Sequence, residues 1–455
     1  MRLKLFTLVL TILAFNARAQ NEDSLKIRAI ANEILQHSNA YENLRVLTKQ
    51  VGARLSGSPQ TYKAEAWGHK ALEQAGADRV IEQACLVPHW VRGGKDEAWI
   101  AAPGKKNQSL DILALGNSVG TGPKGIQAPV VLIHSFEELE RKKESVKGKI
   151  VFYNYKFNDT YVKTFEAYRD AVGYRGAGPS QAAKYGAVAV LIRSMSHSAD
   201  NNPHTGSTRY NDSFPKIPAA ALGLQDADKL AALLEKESAN VFLKTNGKML
   251  PDTVAHNIIG EIIGSEFPDQ IITIGGHLDS WDPAEGAHDD GSGCVHSIEV
   301  LRALKAIGYK PKRTIRVVLF ANEENGTRGG LKYVEEAKLK KEKHIFAQES
   351  DEGGFTPRGF GVTMPADMLN KLRSWLPLLS PYGISEINNG GGGSDIGPLA
   401  KELGTPLAGL QPDSQRYFDI HHARSDVFEA VNKRELELGA VSIAALIYLV
   451  DKYGL

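Results

Sequence analysis

Histidine and acidic side chains recur along this 455-residue sequence in an order typical of a site for two metal ions. Imidazole nitrogen and carboxylate oxygen are the ligands that suit zinc, and a catalytic zinc keeps one position open for water. We interpret Asp289 as a ligand that bridges two ions, and His277 and Glu324 as ligands of the first ion. Asp351 and His422, further along the chain, can supply the remaining ligands. Together these residues predict a site for two Zn²⁺ ions.

Glu323 and Asp279 are the candidate catalytic residues beside these ligands. Glu323 precedes Glu324, and adjacent side chains after a strand must point in different directions, so one can bind metal while the other holds a water. Two zinc ions about 3.5–4 Å apart would lower the pKa of a shared water while Glu323 carries its proton to a leaving amine. Asp279 shares a strand face with His277, so its carboxylate can accept a hydrogen bond from that ring or from a neighbouring group. Amide hydrolysis is the chemistry that requires this set.

Two predicted strands position these residues. Residues 270–276 and 314–320 contain apolar, largely β-branched runs, which predict strands buried on both faces. His277 follows the first strand and the two glutamates follow the second, at the end of the sheet where open α/β folds bind ligands. Acids crowded there would repel one another and lose hydration, at a cost of several kcal/mol per ion unless a cation compensates. The crowding favours a metal site over the turn or solvated helix face that each short motif alone would indicate.

Other polar residues near these motifs have less specific signals. We predict structural roles for Asp290 in a turn, for His288 at the rim and for His296 on the helix that follows. A glycine run at 390–393 indicates either a flexible active-site loop or a close approach of backbone to ligand. Ser394 and Asp395 after it are candidates to contact the amine or carboxylate of a substrate, although Ser394 would serve equally well as a helix N-cap.

The order of the motifs resembles the di-zinc aminopeptidase and glutamate carboxypeptidase superfamily. Four segments carry the resemblance: residues 52–59 (GARLSGSP), 88–93 (PHWVRG), 349–351 (ESD) and 421–426 (HHARSD). The resemblance runs over nearly the whole chain after residue 19. It implies the same five metal ligands, Glu323 as the general base, Asp279 as the acid that orients them, two Zn²⁺ ions and a homodimer.

The last ligand is the open point of that mapping. In the superfamily this histidine is usually followed by Thr or Ser, whereas here Ala423 follows His422, so His421 and His422 both remain candidates. We favour His422. In several relatives a tyrosine precedes the ligand and donates a hydrogen bond to the tetrahedral intermediate; His421 occupies that position here, and we hypothesise that it donates to the oxyanion.

Strand and helix patterns divide the chain into an interrupted α/β domain. The resemblance implies a three-layer αβα zinc exopeptidase fold with a mixed central sheet and an inserted, β-rich protease-associated domain. We expect the first part of the catalytic domain at 20–110, the inserted domain at 111–248, and the metal-binding part at 249–455. The segment 111–248 contains short β runs separated by Gly and Pro turns, and its alternative interpretation is a structural lid without substrate contact.

The amino terminus and the composition limit where the protein acts and what it binds. Arg2 and Lys4 precede an apolar run at 5–15, and the small residues of 17–19 suit a signal peptidase, so residues 1–19 predict a signal peptide and export to the periplasm or outside the cell. We expect no membrane anchor, because no later segment approaches about 20 apolar residues. The formal charge of +1 favours no nucleic acid. Cys85 and Cys294 are interpreted as separate thiols.

From these features we expect an exported zinc-dependent exopeptidase that acts on short peptides, with a dipeptidase as the first choice. A broad aminopeptidase acting on longer peptides is the nearest alternative. A single-zinc glutaminyl cyclase is disfavoured because the full bridging set is present. A catalytically inactive binding module would have lost ligands, and no ligand is lost here.

Overall fold

The computed structural model describes residues 22–101 and 106–455. The predicted signal peptide, 1–19, lies outside the described residues. Fifteen α-helices occur in the described part. They are α1 (22–37), α2 (Ala40–Val46), α3 (Pro59–Gln74), α4 (Phe136–Arg141), α5 (Thr164–Gly176), α6 (Gly178–Ala183), α7 (Leu224–Leu234), α8 (Ser292–Ala306), α9 (Glu323–Gly326), α10 (Arg328–Lys340), α11 (Ala366–Ser374), α12 (Leu376–Leu379), α13 (Gly397–Leu403), α14 (Tyr417–Ile420) and α15 (Lys433–Tyr453).

The strands form two mixed sheets of eight strands each. The central sheet has the order β1-β10-β12-β11-β13-β16-β14-β15, in which β11, β12, β13 and β16 run parallel. Its strands are β1 (Arg79–Val91), β10 (Lys248–Ile262), β11 (Phe267–His277), β12 (Arg313–Phe320), β13 (Lys343–Glu349), β14 (Pro357–Thr363), β15 (Glu386–Asn389) and β16 (Leu407–Pro412). The carboxyl ends of the parallel strands therefore meet at one edge, where the metal-ligand candidates lie.

Helices cover both faces of the central sheet. On one face α1, α3, α8 and α15 bury a continuous apolar core against the sheet, with Ile272 and Ile274 of β11 at its centre. On the other face α10 and α13 pack against Val318 and Phe320 of β12. Successive residues of β12 thus point to opposite apolar layers, which explains why the strand is hydrophobic throughout. The expected three-layer αβα class with a mixed central sheet is confirmed.

The second sheet has the order β3-β2-β9-β5-β6-β7-β8-β4. Its strands are β2 (Glu97–Ala101), β3 (Gln108–Leu110), β4 (Ile112–Ala114), β5 (Ile126–Ile133), β6 (Ile150–Tyr153), β7 (Ala189–Arg193), β8 (Ala219–Leu222) and β9 (Asn240–Lys244). It begins before residue 111, because β2 pairs with β3 and β9 rather than with the central sheet. The predicted domain boundary between residues 110 and 111 therefore does not coincide with the start of the second sheet. A protease-associated identity for residues 111–248 stays a prediction.

The two predicted strands occur with slightly shifted ends. The strand predicted at 270–276 spans 267–277, and the strand predicted at 314–320 spans 313–320. The first helical segment of the described residues is broken at Ser38 and Asn39 and ends in a π-helical turn, Leu47–Val51. Cys85 and Cys294 are both buried free thiols. None of the helices in the described residues has the length and apolar character to cross a bilayer.

Candidate metal centre

His277 is the last residue of β11, and two hydrogen bonds fix its backbone and its ring. Its backbone N–H donates to Oδ2 of Asp290 at 3.0 Å. Its Nδ1–H donates to the backbone carbonyl of Asp279 at 3.0 Å, which leaves Nε2 free for a metal. A Cβ on Gly276 would lie 2.3 Å from Oδ2 of Asp290, so glycine is required there for Asp290 to reach the strand. Asp290 thus contacts the end of β11, and its predicted role in a turn stays a prediction.

Asp289 lies at the centre of the cluster. Its Oδ1 is 3.2 Å from Nε2 of His277, and its Oδ2 is 3.2 Å from Nε2 of His422. Oδ2 is buried and has no hydrogen-bond partner among the described residues. One carboxylate thus faces two imidazoles through different oxygens, which is the arrangement required of a ligand between two ions.

Each of the remaining two acids lies beside a different histidine. Oδ1 of Asp351 lies 3.1 Å from Nε2 of His277, whereas Oε2 of Glu324 lies 3.1 Å from Nε2 of His422. The ligand set therefore separates into a His277–Asp351 pair and a Glu324–His422 pair with Asp289 between them. Ligand atoms of His277, Asp289 and Glu324 also lie within 4.8 Å of one another. The sequence interpretation that assigned Glu324 to the ion bound by His277 therefore stays a prediction.

His422 is oriented by the segment of the chain that carries the second sheet. Its backbone carbonyl accepts from the N–H of Thr205 at 3.0 Å, and its Nδ1 lies 3.2 Å from the carbonyl oxygen of Thr205. With the Nδ1 hydrogen directed to that oxygen, Nε2 faces Asp289 and Glu324. The backbone of His422 has φ of 61°, an unusual conformation for histidine. The contacts to Thr205 hold it there.

His421 lies next to the cluster but further from the acids. Its ring stacks on that of His422 with centroids 3.6 Å apart, and its Nε2 is 3.7 Å from Oδ2 of Asp289. Its backbone carbonyl accepts from Nδ1 of His204 at 2.7 Å. Burial and the neighbouring His422 lower the pKa of His421 well below its usual value. His421 borders the cavity described below, so its neutral ring is available to a substrate.

Asp279 connects the metal ligands to Glu323. Its Oδ1 accepts the backbone N–H of Glu323 at 3.0 Å and lies 3.7 Å from Nδ1 of His277. The carboxylate therefore contacts the neighbouring group, while the backbone carbonyl of Asp279 receives the hydrogen bond from the ring. Burial raises the pKa of Asp279 to about 6. By fixing the start of α9, Asp279 directs the side chains of Glu323 and Glu324 to different places.

The charge balance of the cluster fits a dication. Burial raises the pKa of Glu324 to about 8 and that of Asp351 to about 6. Burial opposes charge on His422, but Glu324 and Asp289 outweigh it and raise its pKa to about 10. Oε1 of Glu324 is buried and has no hydrogen-bond partner among the described residues. Such a set of nitrogen and oxygen donors, with unpaired carboxylate oxygens, suits zinc.

Several supporting residues had no clear sequence signal. Asp426 accepts the backbone N–H groups of His288 and Asp289, at 2.8 and 3.1 Å, and so fixes the loop of the bridging candidate. Tyr417 is buried, borders the same cavity and lies with its hydroxyl 3.5 Å from the carbonyl of Asp351. Asp426 lies within the HHARSD motif, but neither the spacing nor the residue type revealed its contact with residue 289.

The glycine run shapes the protein rather than a ligand pocket. A Cβ on Gly393 would lie 2.1 Å from the carboxyl carbon of Glu349, so this glycine allows the loop to pack on that acid. Glu349 accepts the backbone N–H groups of Asp395 and Ile396. Asp395 is fully buried and does not border the cavity, whereas Ser394 does. The structure therefore brings Ser394, but not Asp395, to the surface that a substrate would contact.

A cavity of about 890 Å³ opens over the acids and histidines. Asp289, Glu323, Glu324, Asp351 and His422 border it on the side of the central sheet. The opposite wall is formed by α5 and by residues that follow β4 and β7, all from the segment carrying the second sheet. The cavity thus lies between the segments that carry the two sheets, with the candidate metal ligands at its floor.

Comparison with known proteins agrees with this geometry. Residues 257–447 match the model of peptidase family M28. Carboxypeptidase Q from Homo sapiens is 36% identical over 414 residues, which cover 91% of this chain and 85% of that protein. The chain belongs to peptidase family M28. Carboxypeptidase Q from Xenopus laevis is 37% identical over the same length.

Solved structures confirm the fold of this M28 peptidase. A peptidase M28 precursor from Shewanella amazonensis superposes with a TM-score of 0.89 at 32% identity, covering 95% of this chain and 97% of that chain. A zinc aminopeptidase from Bacillus subtilis has a TM-score of 0.64 at 21% identity and covers 90% of this chain and 94% of that chain. The second likeness is one of fold alone.

Proposed function

We propose that this chain is an exported dipeptidase that uses two zinc ions to hydrolyse the peptide bond of short substrates. It is a zinc-dependent exopeptidase, as its family and its relatives imply. The observation that carries the two-ion proposal is the Asp289 carboxylate, whose two oxygens face His277 and His422 at 3.2 Å each. A single ion would be bound by only one of these two imidazole–carboxylate pairs.

In this proposal His277 and Asp351 would hold one ion, Glu324 and His422 would hold the other, and Asp289 would be a ligand of both. Bound zinc would supply an acidified water and polarise the scissile carbonyl. Glu323, which borders the cavity, would accept a proton from the attacking water and pass it to the leaving amine. Asp279 positions Glu323 through its backbone N–H.

His421 is proposed to donate a hydrogen bond to the oxyanion as it forms. Its position beside His422 and at the cavity surface supports this role. Ser394 borders the same cavity and can contact the substrate. Asp395 is buried away from it, and its backbone N–H donates to Glu349.

The remaining proposals depend on sequence features. Residues 1–19 have the charge, apolar run and small residues of a signal peptide, which supports export. The resemblance to the superfamily supports a homodimer and a protease-associated identity for the inserted segment. Peptides are the substrates, and a peptide in the enclosed cavity would contact both sheets.

A comparison of substrate lengths tests the proposal. We expect the zinc-loaded enzyme to hydrolyse unblocked dipeptides with a higher kcat/KM than tetrapeptides that share the same first two residues, because α5 and the segments beside it limit the cavity. Equal or faster hydrolysis of tetrapeptides would indicate a broad aminopeptidase. Bound peptide without any hydrolysis would indicate a binding module.

A further inference from the structure

The turn that carries Glu323 and Glu324 has an unusual backbone. Asn322, before the pair, has φ of 64°, and Thr327, after it, has φ of 52°. Positive φ is uncommon for residues other than glycine and rarer still for a β-branched residue such as threonine. Such conformations persist only where the surrounding contacts fix them. The contacts of this turn therefore determine where the two glutamate side chains point.

Two asparagines fix the turn from within. The side-chain amide of Asn322 donates to Oδ1 of Asn325, so the residues on either side of the glutamate pair are bonded to each other. Both asparagines are buried. A Cβ on Gly326 would lie 2.2 Å from Oδ1 of Asn322, so glycine leaves the room that this side chain needs. The position of Asn325 thus sets the shape of the turn.

Asn117 holds Asn325 from the other segment of the chain. It follows β4 in the segment that carries the second sheet, from which it borders the cavity together with Arg175, Ser207 and Arg209. Its Nδ2 donates to the backbone carbonyl of Asn325 at 3.3 Å, and its Oδ1 accepts from Nδ2 of Asn325 at 3.3 Å. The same Nδ2 donates to Oγ of Ser207 at 2.9 Å. The amide of Asn117 is therefore already engaged by the protein.

The loop that carries Asn117 is fixed on two sides. The N–H of Gly116 donates to the carbonyl of Gly206 at 3.0 Å within the second segment. A Cβ on Gly116 would lie 1.8 Å from Cη2 of Trp281, so the loop packs directly against a ring that follows β11. Asn117 itself has φ of 62°, which asparagine adopts more readily than most residues. The loop can therefore serve as a fixed support for the turn.

We propose that Asn117 is a positioning residue for Glu323 and Glu324 and that it acts through Asn325. The inference rests on the proposed function, in which Glu323 moves a proton and Glu324 is a metal ligand. The paired hydrogen bonds to Asn325 keep the carboxylate of Glu323 at the cavity and that of Glu324 beside His422. The second segment thus acts on the glutamate pair as well as on the histidine.

Asn117→Gly tests the proposal without adding backbone strain, because glycine adopts positive φ freely. We expect kcat of the zinc-loaded enzyme for a dipeptide to fall by about ten- to a hundredfold and KM to change by less than about threefold, because Glu323 is displaced while the rest of the cavity stays in place. Asn117→Asp keeps the size but loses both donated hydrogen bonds, and it should lose at least as much. Lys341→Gly, at an exposed position with φ of 53°, is the matched control and should retain kcat.

A double-mutant cycle identifies the partner of Asn117. Asn325→Ala alone should also lower kcat, and the double variant Asn117→Gly/Asn325→Ala should lie within about twofold of the poorer single variant, because both changes remove the same hydrogen bonds. Hydrogen exchange adds a readout that needs no activity. In the metal-free protein, the backbone amides of residues 322–327 should exchange faster in both single variants and unchanged in Lys341→Gly.

Several results would overturn the proposal. Unchanged kcat with a raised KM in Asn117→Gly would make Asn117 a substrate contact, and losses that multiply in the double variant would make the two asparagines independent. Unchanged exchange of residues 322–327 would show that the turn is fixed without Asn117. If the unmodified, zinc-loaded enzyme hydrolyses no dipeptide, the proposed function is wrong, and the exchange rates still decide whether Asn117 fixes the turn.

Discussion

Glu323 and Glu324 are adjacent in the chain but have different surroundings. Oε2 of Glu324 lies 3.1 Å from His422, whereas the side chain of Glu323 borders the cavity and its backbone is fixed by Asp279. The positive φ of Asn322, 64°, turns the chain immediately before the pair. A metal ligand and a proton carrier can therefore occupy consecutive positions.

Glu323→Gln should separate catalysis from metal binding. The amide keeps the size of the side chain but cannot accept the proton of the water, so we expect kcat to fall by about 10²- to 10⁴-fold with zinc content unchanged. Steady-state kinetics and metal analysis of the same preparation check this. Glu335→Gln, on the exposed face of α10, should behave like the unmodified enzyme. Loss of zinc in Glu323→Gln would identify it as a ligand instead.

The two consecutive histidines make a second prediction at this scale. His422→Ala should lower the bound zinc by one ion per chain, because its Nε2 faces both Asp289 and Glu324. His421→Phe should retain all the zinc and lower kcat/KM, because its ring borders the cavity at a greater distance from Asp289. Zinc content and kcat/KM of both variants show which of the two histidines is the metal ligand. The reverse pattern would make His421 the ligand.

At the scale of elements, the segment with the second sheet contributes to the metal centre. Thr205 contacts His422 through both its N–H and its carbonyl, and His204 bonds to the carbonyl of His421. Arg175 at the end of α5 donates to the same Thr205 carbonyl. The second segment therefore directly supports one proposed metal ligand, in addition to forming one wall of the cavity.

Arg175→Ala should reveal this support. Removing the guanidinium takes away a donor to the carbonyl of Thr205, which orients the ring of His422, so we expect affinity for zinc to fall by about 10- to 100-fold. Competition with a chelator, read as zinc per chain, measures it without relying on activity. Arg209→Ala is the matched control and should retain zinc as the unmodified protein does. Equal zinc retention by Arg175→Ala would show that Thr205 alone orients His422.

The sequence predicted the elements better than their contacts. Strands β11 and β12 were predictable because an apolar run buried on both faces needs no partner to be recognised. The residues that support the site were not predictable, because Thr205 and Arg175 are separated from His422 by 217 and 247 residues in the sequence. The start of the second sheet was misplaced for the same reason: β2 has the pattern of any strand, and only its pairing with β9 assigns it to a sheet.

At the scale of the whole molecule, folding concentrates ionisable groups in a buried cluster. Burial raises the pKa of Glu324 and Glu349 to about 8 and that of Asp426 to about 7. These carboxyls bind protons in the folded, metal-free protein that they would release on unfolding. Zinc can replace those protons as the compensating charge.

The metal-free protein should therefore lose stability as the pH rises. A group with a raised folded pKa stabilises the fold below its unfolded pKa and loses that contribution as the pH rises through the folded value. The folded pKa is about 8 for Glu324 and Glu349 and about 10 for His422. All three groups therefore lower the stability of the metal-free protein as the pH rises from 6.5 to 9. We expect Tm with chelator to fall across this range, and Tm with zinc to fall less. An equal fall in both would contradict this account.

Zinc titration of the chelated protein, with dipeptide hydrolysis followed at each addition, tests the central claim most directly. If Asp289 joins a His277–Asp351 site to a Glu324–His422 site, full activity should be reached at two zinc ions bound per chain. Full activity at one ion per chain, or equal hydrolysis after the metal has been removed, would contradict the two-ion centre.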